Sequence, residues 1–275
     1  MIPHLATIAI LEVTAASRLR WIRLLGAAFA LLTLAAAYAA GAADEVTGAD
    51  GFARTTMTLI PVVLVLVPLA ALVLGVSGQA AEMGSQPFLL TQPVSRASVL
   101  VGRWLGQSMA LAGAIGGGFL IGAVVIVLSS GTAGLGAFAI FVGAAIALAT
   151  IFLAIAAALA AVTGRRGTAL GAATFAWFFF VLLYDGAVLS AATWLTGARG
   201  ARVLFTSVFG NPADLIRVLT LSFAGVPNAL GAAGEAWSRF LGGRTAAVVA
   251  AIGALAVWMI APLVIGAQVI QRRDL

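Results

Sequence analysis

The chain has 275 residues, 63% of them hydrophobic and 9% charged, with a mean hydropathy of +1.14; a soluble domain carries about 25% charged residues, so this composition belongs in a bilayer. Its 15 cations, all arginine, leave a net charge of +6, yet they flank apolar runs rather than sharing one polar face, which fits membrane borders and not nucleic acid. With no cysteine, no lysine and His4 as the one histidine, disulfides, thiolate metal centres, a His-Glu-x-x-His zinc site, a histidine-based serine triad and a Walker A loop are all excluded.

Residues 1–20 come first. Ile2, Leu5, Ala9, Val13 and Ala16 recur at spacings of three and four, with Glu12, Arg18 and Arg20 as the polar residues. The pattern predicts an interfacial helix on the inner leaflet, the alternative being a helical extension of the following span. A spanning helix needs about 20 apolar residues, and six segments qualify: 21–43, 57–76, 104–128, 133–162, 168–195 and 245–270. Arginines before the first and small residues at its end imitate a signal peptide, but the long, partly apolar leader reads as part of an uncleaved anchor. Glycine pairs four apart, Gly113/Gly117, Gly118/Gly122 and Gly167/Gly171, would let helix backbones approach closely, or simply reflect how common glycine is in membrane helices.

Orientation follows from arginine placement. With the N terminus inside, Arg18, Arg20, Arg23, Arg96, Arg103, Arg165, Arg166, Arg272 and Arg273 are cytoplasmic, while Arg54, Arg199, Arg202, Arg217, Arg239 and Arg244 lie outside. Five of those six fall in one long loop, where the rule weakens, and the first outer loop is acidic at Asp44, Glu45 and Asp50. Both termini are therefore expected in the cytoplasm.

The inner segment 77–103 is longer than a turn requires. Pro87 and Pro93 bound an apolar knob of Phe88, Leu89 and Leu90, Glu82 precedes it, and Val94, Ser95 and Arg96 follow. Prolines end or redirect helices, and Ser95 is a good N-cap for the third span. Such a knob suits either docking to a soluble partner or burial among headgroups. Within the fifth span, Asp185 stands about 27 Å along the helix from Gly167, toward the outer side. An intramembrane charge needs a partner or a purpose, unless Asp185-Gly186 marks a bend into the headgroups.

In the outer loop 196–244, Asn211-Pro212-Ala213-Asp214 reads as a helix start. Asparagine caps, proline fills the first turn where its missing N–H costs nothing, and aspartate faces the positive end of the dipole. Leu215, Ile216, Val218 and Leu219 give that helix an apolar side, Arg217 falls among them, and Pro227 breaks it. It either packs on the protein's own outer surface or meets a partner.

Several stretches together resemble one family. Glu82-Met83-Gly84-Ser85, Leu89-Leu90, Pro93-Val94-Ser95-Arg96 and Val99-Leu100-Val101-Gly102-Arg103 look like the segment after the second span of type-2 ABC-transporter permeases. The likeness is nearest to NosY-like permeases of multicopper enzyme maturation, notably of nitrous oxide reductase. It extends to Glu12, Arg20-Trp21, the run from Phe179 to Asp185 and the run from Asn211 to Arg217. Gly75 to Ala81 and Pro87 depart from the family pattern, which usually has an acidic residue shortly after the second span, an acidic or basic pair before Glu-x-Gly, and leucine in place of Pro87.

The resemblance implies an all-α integral membrane protein: a single transmembrane permease domain over 1–275, with 1–20 as interfacial helix, 77–103 as cytoplasmic coupling segment and 196–244 as a helical extracytoplasmic loop. It implies a non-catalytic transport subunit of the bacterial inner membrane, paired with a second copy of itself and with ABC ATPase subunits that hold ATP and Mg. Glu82, Phe88, Leu89, Leu90, Pro93, Val94, Ser95 and Arg96 would couple to the ATPase. Asn211, Pro212, Asp214 and Arg217 would meet a periplasmic partner protein, and this chain would bind no cofactor or metal itself. The competing readings are a proton-coupled secondary transporter built on Asp185, an ABC exporter permease for an unrelated small molecule or lipid, and a structural anchor. Scattered Met1, Met57, Met83, Met109 and Met259 with one histidine and no cysteine offer no soft-metal relay.

Overall fold

A computed structural model describes residues 2–42, 49–80, 95–195, 198–223 and 231–272. Among these, every regular element is helical: α1 Ile2–Arg18, α2 Arg20–Ala42, α3 Ala49–Ala80, α4 Arg96–Ser130, α5 Leu135–Thr163, α6 Arg166–Phe178, a π turn Phe179–Leu183, α7 Tyr184–Thr193, α8 Ala198–Ser207, a 3-10 turn Val208–Gly210, α9 Pro212–Phe223, α10 Gly231–Phe240 and α11 Arg244–Arg272. Six helical stretches are long and apolar enough to span: Arg20–Ala39, Phe52–Gln79, Arg96–Leu128, Leu135–Thr163, Arg166–Thr193 and Arg244–Arg272. The chain is thus an all-α integral membrane protein with the six expected spans. The second and third run several residues further toward 81–95 than hydropathy alone marks, because Ser77 to Gln79 and the Ser95-capped turn continue the helical hydrogen bonding past the last apolar residues.

We call the end that carries α1 and the 81–95 connection proximal, and the opposite end distal. The buried centre is made by α2 to α5: Phe29, Leu59, Val63, Val67, Leu111, Ile115, Phe119, Phe141, Leu148 and Phe152 form one continuous cluster that also takes in Ala213 and Ile216 of α9. Since lipid supplies no hydrophobic drive between helices, contact area and hydrogen bonds must hold them. Thr33 of α2 is buried and bonds back to Phe29 O at 2.7 Å. Gly118 and Gly122 face that stretch, where a Cβ would run into Gly26 O, Phe29 and Thr33. Of the three glycine pairs, this one makes the close approach; Gly113, Gly117, Gly167 and Gly171 have nothing within 4 Å of a built Cβ.

Indole N–H groups supply the long-range bonds, as a tryptophan inside an apolar bundle requires. Trp104 Nε1 donates to Thr150 O at 2.9 Å, joining α4 to α5. Trp177 Nε1 donates to Val65 O at 3.0 Å, joining α6 to α3. α1 is a separate helix, parted from α2 at Leu19 and packed mainly on α4, rather than an extension of the first span. The fifth and sixth spans lie at the edge of the bundle, with Phe175, Leu182, Leu189, Val249 and Val257 exposed.

Candidate functional site

The distal connection between the fifth and sixth spans is more than a surface loop. Trp258 sits at the middle of α11, about 21 Å from either end at 1.5 Å per residue, and its Nε1 donates to Phe209 O at 2.9 Å. Phe180 lies a similar distance from the start of α6, and its carbonyl accepts from Asn211 Nδ2 at 2.9 Å. The turn from Ser207 to Asn211 therefore reaches mid-span: α8 descends into the bundle and α9 climbs out of it. An aromatic trio forms its floor, with Phe152 and Phe180 centroids 6.2 Å apart and Phe180 and Trp258 centroids 5.4 Å apart, both edge to face.

Irregular backbone at membrane depth survives where protein satisfies it, and here side chains do so one carbonyl after another. Trp237 Nε1 donates to Phe205 O at 3.1 Å, Tyr184 Oη to Ser207 O at 2.6 Å, and Trp258 Nε1 to Phe209 O. The π turn contributes the partner on the other side. A π turn, a feature frequent at functional sites, closes its bonds one residue later than an α-turn, and Tyr184 N–H bonds Phe179 O in this way; the neighbouring carbonyl of Phe180 is the one taken by Asn211.

α9 begins as its sequence predicts. Asn211 Oδ1 accepts from Ala213 N–H at 3.0 Å and Pro212 opens the helix. Asn211 is 1% exposed and Asp214 9%, and Pro212, Ala213, Leu215 and Ile216 are buried. Of the four residues expected to face a partner, then, Asn211, Pro212 and Asp214 are packed on the protein's own helices, while the Arg217 side chain is 41% exposed. Its NH1 lies 3.1 Å from Asp214 Oδ1 and 3.1 Å from Asp185 Oδ2. One guanidinium thus bridges two carboxylates, one on each of the segments singled out above. Asp214 Oδ2 also accepts from Asn211 Nδ2 at 3.2 Å, whereas Oδ1 lies near Arg217 without an aligned hydrogen-bond donor. Asp185 is therefore partnered and half-exposed, and it marks the rim of a polar cluster rather than a lone intramembrane charge.

At the proximal end, Glu82, Phe88, Leu89, Leu90, Pro93 and Val94 lie outside the described residues. Ser95 caps α4, its Oγ accepting from Ser98 N–H at 3.2 Å. Arg96 NH1 reaches Ile270 O at 3.5 Å, a cation at the carbonyl end of α11. Sequence reasoning missed Tyr184 and Trp258 as anchors of the distal turn. Their signal was present: an indole at the centre of an apolar span and a tyrosine beside an aspartate both need polar partners. Among the described residues no three His, Cys, Asp or Glu side chains cluster to hold a metal ion.

Comparison with known proteins fits this architecture. The model of the ABC-2 family transporter proteins matches residues 6–275. A protein named "Probable ABC transporter permease protein NosY" from Pseudomonas aeruginosa strain PAO1 is 35% identical over 226 residues, covering 80% of this chain and 82% of the relative. The protein of the same name from Stutzerimonas stutzeri is 31% identical over 227 residues, again 80% and 82%. The runs Phe179 to Asp185 and Asn211 to Arg217, which form the distal cluster, are among those that resemble these permeases, and the chain belongs to the ABC-2 family of ABC-transporter permeases.

Proposed function

We propose that this NosY-like permease converts ATP hydrolysis by separate ATPase subunits into movement of the distal re-entrant hairpin, α8 to α9, and that the hairpin acts on a periplasmic partner. The proximal end faces the cytoplasm, as the arginine distribution supports, and the segment from Glu82 to Arg96, with Phe88 to Leu90 at its apolar centre, is where the ATPase docks. Two copies form the membrane part, and the exposed apolar faces of the fifth and sixth spans meet lipid or the second copy. ATP and Mg belong to the ATPase.

One observation carries the reading: the hairpin is joined to mid-span positions of both neighbouring spans, through Asn211 to Phe180 and Trp258 to Phe209. A rotation of either span must therefore move the hairpin. α9, a capped helix seated on α5, has the stiffness to pass that movement outward, and Arg217 is among its half-exposed residues. The resemblance to NosY-like permeases extends the proposal to copper-site maturation of nitrous oxide reductase. Force rather than metal crosses the membrane in this scheme, because Cu(I) asks for clustered thiolate, thioether or imidazole ligands, and the chain has no cysteine, one histidine and five scattered methionines.

A proton-coupled transporter has one observation in its favour, the Asp185–Arg217–Asp214 cluster. Reconstitution with a candidate ABC ATPase subunit separates the two. Phe88→Asp or Leu89→Asp should release the ATPase on purification while the permease still inserts. Intact co-purification with normal ATP hydrolysis would place the contact elsewhere.

A further inference from the structure

The roots of the 81–95 connection are joined to α1 by a buried polar contact. Gln107 of α4 is 1% exposed, and its Nε2 donates to Glu12 Oε1 at 2.9 Å. Two glycines make room for this bond. At Gly106 a Cβ would stand 2.6 Å from Ala9 O and would also press on Glu12 Cβ; at Gly78 it would overlap Gln107 Nε2 and lie 3.2 Å from Glu12 Oε1. α1, α3 and α4 thus converge on one carboxylate at a separation that any larger residue at 78 or 106 would widen.

The same level holds α3 to α4 directly. Arg103 NH1 donates to Gly78 O at 2.8 Å, and Gln79 Nε2 to Leu100 O at 3.4 Å. Both bonds lie at the last turn of α3 and the first turns of α4, the two ends from which the 81–95 connection leaves the bundle. α1 enters this joint through the Glu12–Gln107 bond. Without it α1 would keep its apolar seat, formed by buried Ala9 and Ala16, but would leave an amide buried and unpaired and would be free to slide along α4. A bond from an amide to a carboxylate is stronger than one between neutral groups, so a single acid can lock the joint.

We propose that Glu12 is a positioning residue that binds α1 to both roots of the 81–95 connection, so that a push on that connection moves α1, α3 and α4 as one body. The inference rests on the coupling function proposed above, but the joint itself can be tested apart from it. The chain lacks cysteine, so spin labels can be placed at exposed Ile10 of α1 and Met109 of α4, and a second pair at Arg202 of the hairpin and Leu128 of α4.

In lipid nanodiscs with the permease alone, the Ile10–Met109 distance distribution should be narrow. In Glu12→Ala the detached fraction should rise about tenfold, the scale expected for losing one charge-assisted hydrogen bond. Gln107→Met should behave alike, which covers the case of a poorly folding Glu12→Ala. Glu12→Gln, whose amide oxygen still accepts from Gln107, should restore the narrow distribution. With the ATPase bound and trapped by ATP and vanadate, the Arg202–Leu128 distance should shift in the natural chain and shift by less than half as much in Glu12→Ala, while ATP is still hydrolysed. An Ile10–Met109 distribution that stays narrow in both Glu12→Ala and Gln107→Met would overturn the joint. A detached α1 with an undiminished hairpin shift would overturn its role in positioning. A natural chain whose hairpin fails to move on trapping would instead refute the coupling reading, leaving the first measurement to judge the joint alone.

Discussion

Replacing Asp214 with asparagine removes a charge from a position where the structure makes charge costly. Asp214 is buried, shares the Arg217 guanidinium with Asp185, and receives one further bond from Asn211. The cation Arg217 is in contact with it. Of the elements packed on α9, α5, the π turn and the 3-10 turn carry no ionisable side chain, α3 brings Arg54 among its described side chains, and α11 brings Arg272 and Arg244, the latter bonded to Ser222 O; α7 reaches the cluster through Asp185. Two carboxylates beside one guanidinium leave excess negative charge in a buried place.

Asparagine keeps the shape of Asp214 and the acceptor that Asn211 and Arg217 use while deleting the charge, so the hairpin should open no more readily than in the natural chain. Leucine there leaves the Asn211 amide and Arg217 without that partner and should cost about 1 to 3 kcal/mol, roughly a tenfold or greater rise in opening. Hydrogen exchange of α9 amides in nanodiscs reads that equilibrium. Protection of α9 should be kept or raised in Asp214→Asn and reduced in Asp214→Leu. A loss of protection in Asp214→Asn equal to that in Asp214→Leu would refute the claim that charge is costly at this position.

Other expectations follow from the same geometry. Asn211→Ala deletes the α9 cap and strands the Phe180 carbonyl, so it should cost about 2 to 4 kcal/mol, read as loss of α9 protection; an unchanged exchange rate would mean the turn is held by the tryptophans alone. Gly122→Leu should overpack the α2–α4 contact by about 1 to 3 kcal/mol in thermal stability, while Gly113→Leu, with open space around it, should be near neutral; equal effects would contradict the packing. Asp185→Asn keeps an acceptor for Arg217 and should leave function of the complex near normal, whereas lost function with intact assembly and ATP hydrolysis would favour proton coupling. A cysteine at Arg166 should be labelled from the cytoplasmic side, and labelling from outside would invert the topology.

The spans were legible because lipid imposes length and apolarity on each one independently, so residues 104–128 or 133–162 announce themselves without reference to neighbours. The start of α9 was legible for a local reason as well, since Asn211, Pro212 and Asp214 satisfy a helix terminus among themselves. Depth was not. The sequence around Ala198 to Ser207 is near neutral on average, with Arg199, Arg202, Thr206 and Ser207 offsetting Val203, Leu204 and Phe205, and so reads as an outer loop. What carries its tip to mid-span is a set of bonds from Tyr184, Trp237 and Trp258, each remote in sequence from the carbonyl it reaches. The pairing of Arg217 with Asp185 escaped for the same reason: each residue was visible, but their proximity depends on how far the hairpin descends. Glu12 stood out as an acid in an apolar helix, yet the facing Gln107 lies in the middle of an apolar run and carries no local mark.

The coupling function requires that this chain be moved by a partner's ATP hydrolysis. The most direct measurement is the ATPase rate of the cognate nucleotide-binding subunit, with and without this permease in lipid nanodiscs, alongside the same pair carrying Phe88→Asp. The natural permease should bind that subunit and change its rate, and Phe88→Asp should abolish both effects while the permease remains folded. An ATPase rate indifferent to the natural permease, in a preparation where the two proteins do not associate, would contradict that function.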